Sequence, residues 1–383
     1  MATNLVCLDF LENVQLLFGL KLKPRSRVAR VLNYICRFHL IVSSFYIFLF
    51  CAHWMIRNER KNDKFYLLGD IYYIYYYMVV TLATISYSRK LDSIYQFQQR
   101  LMRLIPDNDS HTLNRIGSGL IAIGLVGILG KVSSLLVYFI HQSPPSVIQA
   151  NLGKWFVSSS SLVNYFVAIY SMIYVFIPYA FFMMTAINYL LYSYLVKEVV
   201  IGFYRKYTTR PFTQQMVSEN HQIIDCIEEF ESLFNVYPFI WTSCLFFKTS
   251  AMFVFLALSN SDNSSYTTHQ LIEYSSYVMV IGFVLIKTIH FTDEIIEHKR
   301  NLQKRFELMR LQNQPCDLTK STDLVLFTVW KMAPIDRSFI ITFIGQVTSF
   351  SVLFSSLANI KWWNIQYVWI KKFMNVWQFA LGM

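Results

Sequence analysis

The sequence predicts an all-α membrane protein with seven transmembrane helices. Of its 383 residues, 55% are hydrophobic and 15% are charged, a balance too apolar for an ordinary soluble enzyme. Seven apolar runs are long enough to cross the roughly 30 Å hydrocarbon core of a bilayer. Lys and Arg collect in alternate segments between these runs, which is typical of a polytopic membrane protein with a defined orientation.

The runs divide the chain into segments on two sides of the membrane. With the N-terminus inside, the inner segments hold 22 Lys and Arg residues and the outer segments hold eight. Because positive charge favours the cytoplasmic side, we expect a cytosolic N-terminus and an outer C-terminus. The spans are expected at 32–56, 67–87, 116–141 and 165–196, then at 237–258, 273–292 and 339–358. The segments 1–31, 197–236 and 293–338 are then cytosolic, and 359–383 is an outer, Trp-rich interfacial tail.

Helical patterns continue beyond several spans on the inner side. The fourth run is longer than a bilayer needs. The stretch "SENHQIIDCIEEFESLF" repeats apolar residues at helical spacing and is expected to join the fifth span as one long helix. The sixth span is expected to continue to about Gln314, and Ser321 to cap a further helix through Trp330. These extensions predict a cytosolic bundle of inner helices.

Two inner helices carry His and acidic residues at spacings of four. His290, Glu294 and His298 share one face, and His221, Asp225 and Glu229 share another. Such sets suggest a metal site of a polytopic enzyme, but neither contains a recognised catalytic spacing. Polar contacts between charge-rich helices are the favoured interpretation, and no cofactor, metal or catalytic residue is predicted.

Ionisable and tyrosine side chains in the outer halves of the spans suggest a ligand pocket. A Lys in mid-membrane costs roughly 3 kcal/mol on insertion scales and usually faces a cavity or a partner. Lys131 is such a residue, and Asp70 is a candidate partner. Tyrosines at similar depth could frame an aromatic pocket, although packing between helices explains them equally well. The predicted ligand-binding residues are Tyr73, Tyr76, Lys131, Tyr138, Tyr170, Tyr174 and Tyr277.

The last span, "IGQVTSFSVLFSSLAN", contains more hydroxyl groups than an inert anchor needs. On a helix, Thr348, Ser351 or Val352, and Ser355 fall on one stripe, with Ile344 nearby on the inner side. Small hydroxyl residues suit tight helix packing in membranes, and a Thr and Ser stripe also suits a water-accessible pore. A single stripe cannot enclose a pore, so the pore interpretation requires several copies of the chain.

The last third of the chain resembles the C-terminal signature of insect gustatory receptors. In that signature an apolar helix leads to Thr-Tyr, five apolar residues and Gln-Phe, and "DRSFIITFIGQVTSFSVLFSS" follows it in part. Thr348 matches the Thr, 350–354 occupy the five-residue stretch, and Ser349 replaces the Tyr. Serines at 355–356 replace Gln-Phe. The stretch "ENHQIIDCIEEFESLFNVY" is similar to the segment before the fifth span of gustatory and odorant receptors.

The resemblance implies a chemosensory receptor subunit: a tetrameric, ligand-gated, non-selective cation channel opened by a small-molecule tastant. It implies a location in the plasma membrane of sensory neurons, with membrane lipid and identical or related subunits as partners, and no nucleic acid. In that family the seventh helix lines the pore, and Ser355 stands where the family's Gln helps form the gate. The pore-lining residues carried over are Ile344, Thr348, Ser351, Val352 and Ser355.

A G-protein-coupled type of receptor is the main alternative to a channel. The predicted inner N-terminus argues against it, and so do a last span without Pro and outer loops without Cys. Two glycosylation sequons distinguish the orientations, because Asn263 falls in an outer loop and Asn108 in an inner one. We therefore expect glycan at Asn263 alone.

Overall fold

The computed structural model describes residues 27–58, 64–105, 110–152, 156–209, 214–258, 264–311, 328–329, 333–335 and 337–359. In these ranges ten helices account for nearly the whole chain, and the all-α fold class is confirmed. The first five helices are α1 Arg27–Asn58, α2 Lys64–Arg89, α3 Leu91–Leu104, α4 Ser110–His141 and α5 Pro144–Asn151. The others are α6 Ser161–Thr209, α7 Gln214–Phe234, α8 Val236–Leu258, α9 Ser264–Leu311 and α10 Arg337–Asn359.

Each of the seven predicted spans lies within a single helix: α1, α2, α4, α6, α8, α9 or α10. Among the described residues, three stretches are long and apolar enough to cross a membrane by length and composition: Leu113–His141, Ser161–Thr208 and Leu271–Lys304. The expected extensions of the fourth and sixth spans are also present, since α6 has 49 residues and α9 has 48. Seven crossings and the sides of the membrane remain predictions.

Helix α6 forms the centre of the fold. It packs against α1 to α5 and against α7 to α9. Its middle, from Tyr179 to Val196, is buried throughout and is rich in aromatic side chains. Because a helix that is apolar on all sides must be covered on all sides, this composition places α6 inside the bundle. The neighbouring helices are thereby held at fixed positions around it.

The predicted packing of the inner helices is observed. Phe97 of α3 is fully buried and its ring lies 5.8 Å from Tyr192 of α6 and 6.1 Å from Phe230 of α7, measured between ring centroids. At the rim of this contact, the Arg100 guanidinium lies 2.9 Å from the Glu229 carboxylate. On the same helix α7, burial raises the pKa of Cys226 to about 12, so this thiol stays protonated. That this bundle is cytosolic remains a prediction.

Two expectations about the inner segments are wrong. The fifth span does not join α7 in one helix, because the chain turns at Asn235. Pro238 explains the break: it has no N–H for the Phe234 carbonyl, and its ring clashes with that carbonyl in a continuous helix. The expected helix through Trp330 is also wrong at its end. Thr328 and Val329 form a strand that pairs antiparallel with Ala333–Pro334, while 312–327 lie outside the described residues.

Candidate functional site

A buried cluster of three charged side chains lies where α4, α8 and α9 meet. Glu273 of α9 accepts a hydrogen bond from the ammonium of Lys131 on α4 through one carboxylate oxygen. Its other oxygen lies 3.0 Å from Nζ of Lys248 on α8. The exposed fractions of Lys131, Lys248 and Glu273 are 5%, 0% and 4%. One carboxylate therefore ties three helices together by two charge-assisted hydrogen bonds.

Four tyrosine rings surround the Lys248 ammonium and form an aromatic shell. The ring of Tyr277 is nearest, with its centroid 4.4 Å from Nζ. Tyr179 lies 5.1 Å away, Tyr76 5.4 Å and Tyr274 5.5 Å. Ring faces attract cations at such distances, by about 0.5–2 kcal/mol each. Tyr76 comes from α2 and Tyr179 from α6, so five helices contribute to the cluster and its shell.

The cluster carries an excess of positive charge. Two ammonium groups face one carboxylate, and ions in a protein interior lose the hydration that stabilises them in water. The shell compensates in part, because the tyrosine faces present negative electrostatic potential to Lys248. Tyr179 serves both lysines, since its ring also lies 5.4 Å from Nζ of Lys131. The ion pairs of Glu273 and the tyrosine shell therefore stabilise the same two ammonium groups.

Glycines on α4 bring this helix close enough to α9 for Lys131 to reach Glu273. At Gly130 and Gly127 the space that a side chain would occupy is filled by Ser276 and Val280 of α9. Gly130 directly precedes Lys131, and Ser276 lies one turn from Glu273. Small residues at such contacts allow membrane helices to approach closely. The glycine contact therefore positions the charge cluster.

Replacing Gly130 by Ala is expected to destabilise the protein by about 1–3 kcal/mol, because the new methyl group overlaps Cβ of Ser276 and cannot escape by rotation. Gly119→Ala is the matched control on the same helix, since nothing lies within 4 Å of a methyl group there. The melting temperature of the purified protein in detergent should fall for Gly130→Ala only. Equal melting temperatures would show that α4 and α9 are not in close contact.

Helix α10 is bound to the bundle along one face. Val347 is buried, with 4% exposed, and Phe339, Phe343 and Phe350 lie on the same side. The Phe350 and Phe343 rings pack against Phe246 of α8, with centroids 5.0 and 6.4 Å apart. These residues follow the helical repeat of an apolar stripe. Helix α8 is the main neighbour of α10 among the described helices.

The other face of α10 is uncovered in the single chain. Ile344 and Val352 are 57% and 60% exposed, and Thr348 between them is also exposed. The Thr348 hydroxyl donates to the Ile344 carbonyl at 2.9 Å, so it is satisfied within the helix. Ser351 and Ser355 lie on the same helix, but their side chains are outside the described part. Three of the five predicted pore-lining residues thus share an open stripe.

No protein-family model matches this chain, and no curated protein matches it either. Among solved structures, the insect olfactory receptor OR5 from Machilis hrabei is similar, with a TM-score of 0.66 and 13% identity. That similarity covers 91% of this chain and 97% of the receptor. The chain has the insect olfactory receptor fold.

The same receptor in complex with eugenol gives a TM-score of 0.58 and 14% identity over 91% of this chain and 96% of that one. The predicted likeness to the insect chemoreceptor superfamily is confirmed at the level of the fold, without distinguishing gustatory from odorant receptors. Neither structure lends support to the G-protein-coupled alternative.

Within this olfactory receptor fold, the predicted ligand residues fall into separate groups. Tyr76, Lys131 and Tyr277 come together in the charge cluster and its shell. Tyr138 instead packs on His269 of α9 at 4.9 Å between centroids. Tyr170 and Tyr174 lie against α1, with His39 at 6.4 and 5.5 Å. The Tyr73 side chain is outside the described part, as are Asn263 and the side chain of Asp70.

Glu273 is the decisive residue that sequence reasoning missed. Glu273 is the first residue of the predicted sixth span, and an acid at the depth of Lys131 is the signal that points to a partner. Lys248 is a second charged residue inside a predicted span, and neither it nor Tyr179 and Tyr274 are among the predicted site residues. The partner observed for Lys131 is Glu273, while the predicted pairing with Asp70 depends on a side chain outside the described part and stays a prediction.

Three of the six residues of the metal hypothesis take part in ordinary polar contacts. Glu294 lies 2.8 Å from the Lys197 ammonium and 3.4 Å from Nδ1 of His290. Glu229 pairs with Arg100. In the described ranges, no three His, Cys, Asp or Glu side chains converge as metal ligands would. These contacts support the interpretation as helix-to-helix polar packing.

Proposed function

We propose that this chain is a chemosensory receptor subunit that assembles as a tetramer and conducts cations when a small molecule binds. The fold likeness to an insect olfactory receptor supports a receptor of this superfamily. In the proposed assembly α10 lines a central pore, and the inner bundle holds the subunits together. We place the receptor in the plasma membrane of sensory neurons, alone or with related subunits.

The observation that carries this proposal is the open stripe of α10. Ile344, Thr348 and Val352 are exposed along about two helical turns, while the opposite face of the same helix is anchored on α8. Alternating hydroxyl and apolar side chains around an axis give a conduit that admits water and closes at apolar constrictions. Four copies of this stripe supply such a ring, with Ser351 and Ser355 expected on it.

The ligand is proposed to be a small organic molecule that binds in the outer half of the helices. The solved complex with eugenol supports small-molecule binding by a receptor of this fold. In this chain the aromatic shell with Tyr76, Tyr277 and Lys131 offers apolar walls and a few polar groups, as such sites require. A tastant as the natural ligand is part of the proposal.

The experiment that tests this function is recording from cells that express the chain alone or with a related subunit. A panel of small organic compounds is applied, and at least one should evoke a cation current that is absent from untransfected cells. Native mass spectrometry of the purified protein should give a mass near four times 45.2 kDa. A stable monomer without any evoked or resting current would contradict the proposal.

Glycan mapping tests the proposed orientation. With the N-terminus inside, Asn263 faces the lumen during synthesis and Asn108 faces the cytosol. We expect Asn263→Gln to abolish the mobility shift caused by a glycosidase, and Asn108→Gln to leave it unchanged. A shift that depends on Asn108 would reverse the orientation.

A further inference from the structure

Helix α8 connects the charge cluster to the predicted pore helix. Lys248 is held by Glu273 and by the four-tyrosine shell. Phe246, two residues earlier, packs on Phe343 and Phe350 of α10. Two residues along a helix are rotated by about 200° around its axis. Phe246 and Lys248 therefore lie on nearly opposite faces of α8. Helix α8 thus contacts the charge cluster on one face and α10 on the other.

The Lys248–Glu273 pair is also suited to release. The cluster contains one acid for two bases, so Glu273 can remain paired with Lys131 when Lys248 leaves. Breaking the Lys248 contact therefore leaves the carboxylate paired, and the cost of an uncompensated charge falls on the Lys248 ammonium, which keeps its contacts with the tyrosine rings. The same rings that stabilise Lys248 belong to the proposed ligand site, and a molecule that inserts among them weakens its hold.

We propose that the Lys248–Glu273 pair is a latch that keeps α8, and with it α10, in the resting arrangement. A ligand in the aromatic shell loosens the latch and thereby favours the open pore. This inference rests on the proposed channel function and describes how ligand binding controls opening of the pore. Lys131 has a different role, since its hydrogen bond to Glu273 joins α4 to α9.

Two single substitutions separate the latch from a merely structural cluster. Lys248→Met and Lys131→Met each remove one ammonium and leave a single neutral Lys–Glu pair, so they match in charge and nearly in volume. Only Lys248→Met frees α8. We expect its resting current, without ligand, to rise roughly tenfold, within the range typical of allosteric couplings. Lys131→Met keeps Lys248 paired with Glu273, so any rise in its resting current should be at least threefold smaller than that of Lys248→Met.

A second readout does not require current. Val347→Cys on the buried face of α10 reports whether α10 stays packed, through its rate of reaction with a charged methanethiosulfonate reagent. We expect this rate to increase severalfold when combined with Lys248→Met, and to increase clearly less with Lys131→Met. If Lys248→Met yields no folded protein, Lys248→Gln can replace it, because Gln keeps a hydrogen bond without the ionic attraction. The labelling rate should then again rise more than in Lys131→Met, but by a smaller factor.

Equal effects of the two lysine substitutions on the labelling rate would overturn the latch, and so would no effect of either. Absence of current from every variant, together with faster labelling in Lys248→Met, would contradict the channel function but retain the coupling between α8 and α10. A labelling rate that rises to the same extent in both variants would show that the cluster only supports the structure.

Discussion

Replacing Glu273 by Gln is expected to lower the free energy of unfolding by about 3–5 kcal/mol. Among the described side chains, Glu273 is the one carboxylate between the two buried ammonium groups of Lys131 and Lys248. A neutral amide leaves both cations without a counter-charge, and an uncompensated buried charge is among the most destabilising outcomes of a single substitution. The melting temperature and the yield of monodisperse protein in detergent measure the loss.

Two controls make this result specific to the cluster. Glu297 lies on the same helix α9 but is exposed, so Glu297→Gln should leave the melting temperature unchanged. Adding Lys131→Met and Lys248→Met to Glu273→Gln removes every charge from the cluster. Because a buried ion group can often be replaced by neutral side chains of similar volume, the triple variant should recover most of the lost stability.

Either of two results would count against this account. Normal stability of Glu273→Gln would mean that water or another group already neutralises the lysines. No recovery in the triple variant would mean that Glu273 acts through its shape or hydrogen bonds, without a dominant role for charge.

Much of the fold could be predicted because a bilayer restricts the secondary structure of the segments that span it. A spanning segment must satisfy its backbone internally, so a long apolar run predicts a helix of similar length, as in α4 and α8. The turn at Asn235 was missed because the apolar repeat continues through it, while the cause lies three residues later in Pro238. The short helices α3 and α5 are not predicted because neither is long enough to be a span, although apolar residues recur at helical spacing in α3, at Leu91, Ile94, Phe97 and Leu101.

The site could be predicted only in part, because sequence indicates depth in the membrane but not which helices touch. Lys131 was identified from the cost of a charge in an apolar run. Its partner depends on the contact of α4 with α9, which Gly130 permits but does not specify. Tyr170 and Tyr174 have the right depth for a shared pocket, yet they face His39 of α1. A prediction based on depth alone therefore placed these tyrosines in one pocket with residues from which the fold separates them.

Introducing cysteine at Thr348 is expected to create a site that a charged reagent reaches through water. Thr348 lies at the centre of the open stripe, whereas the neighbouring Val347 is buried against the bundle. A cysteine in a water-filled pore ionises and reacts, whereas one that faces lipid or packed side chains stays protonated and inert. Modification inside a narrow conduit should also reduce any cation current by more than half.

The most direct test of the account is the ratio of two labelling rates, Thr348→Cys over Val347→Cys, measured with a membrane-impermeant methanethiosulfonate reagent. The reagent is applied from both sides of the membrane, and the unmodified chain corrects for the native cysteines. We predict that Thr348→Cys reacts at least tenfold faster from one side. Equal rates, or an unreactive Thr348→Cys on both sides, would mean that the open face of α10 meets lipid and that no pore forms along it.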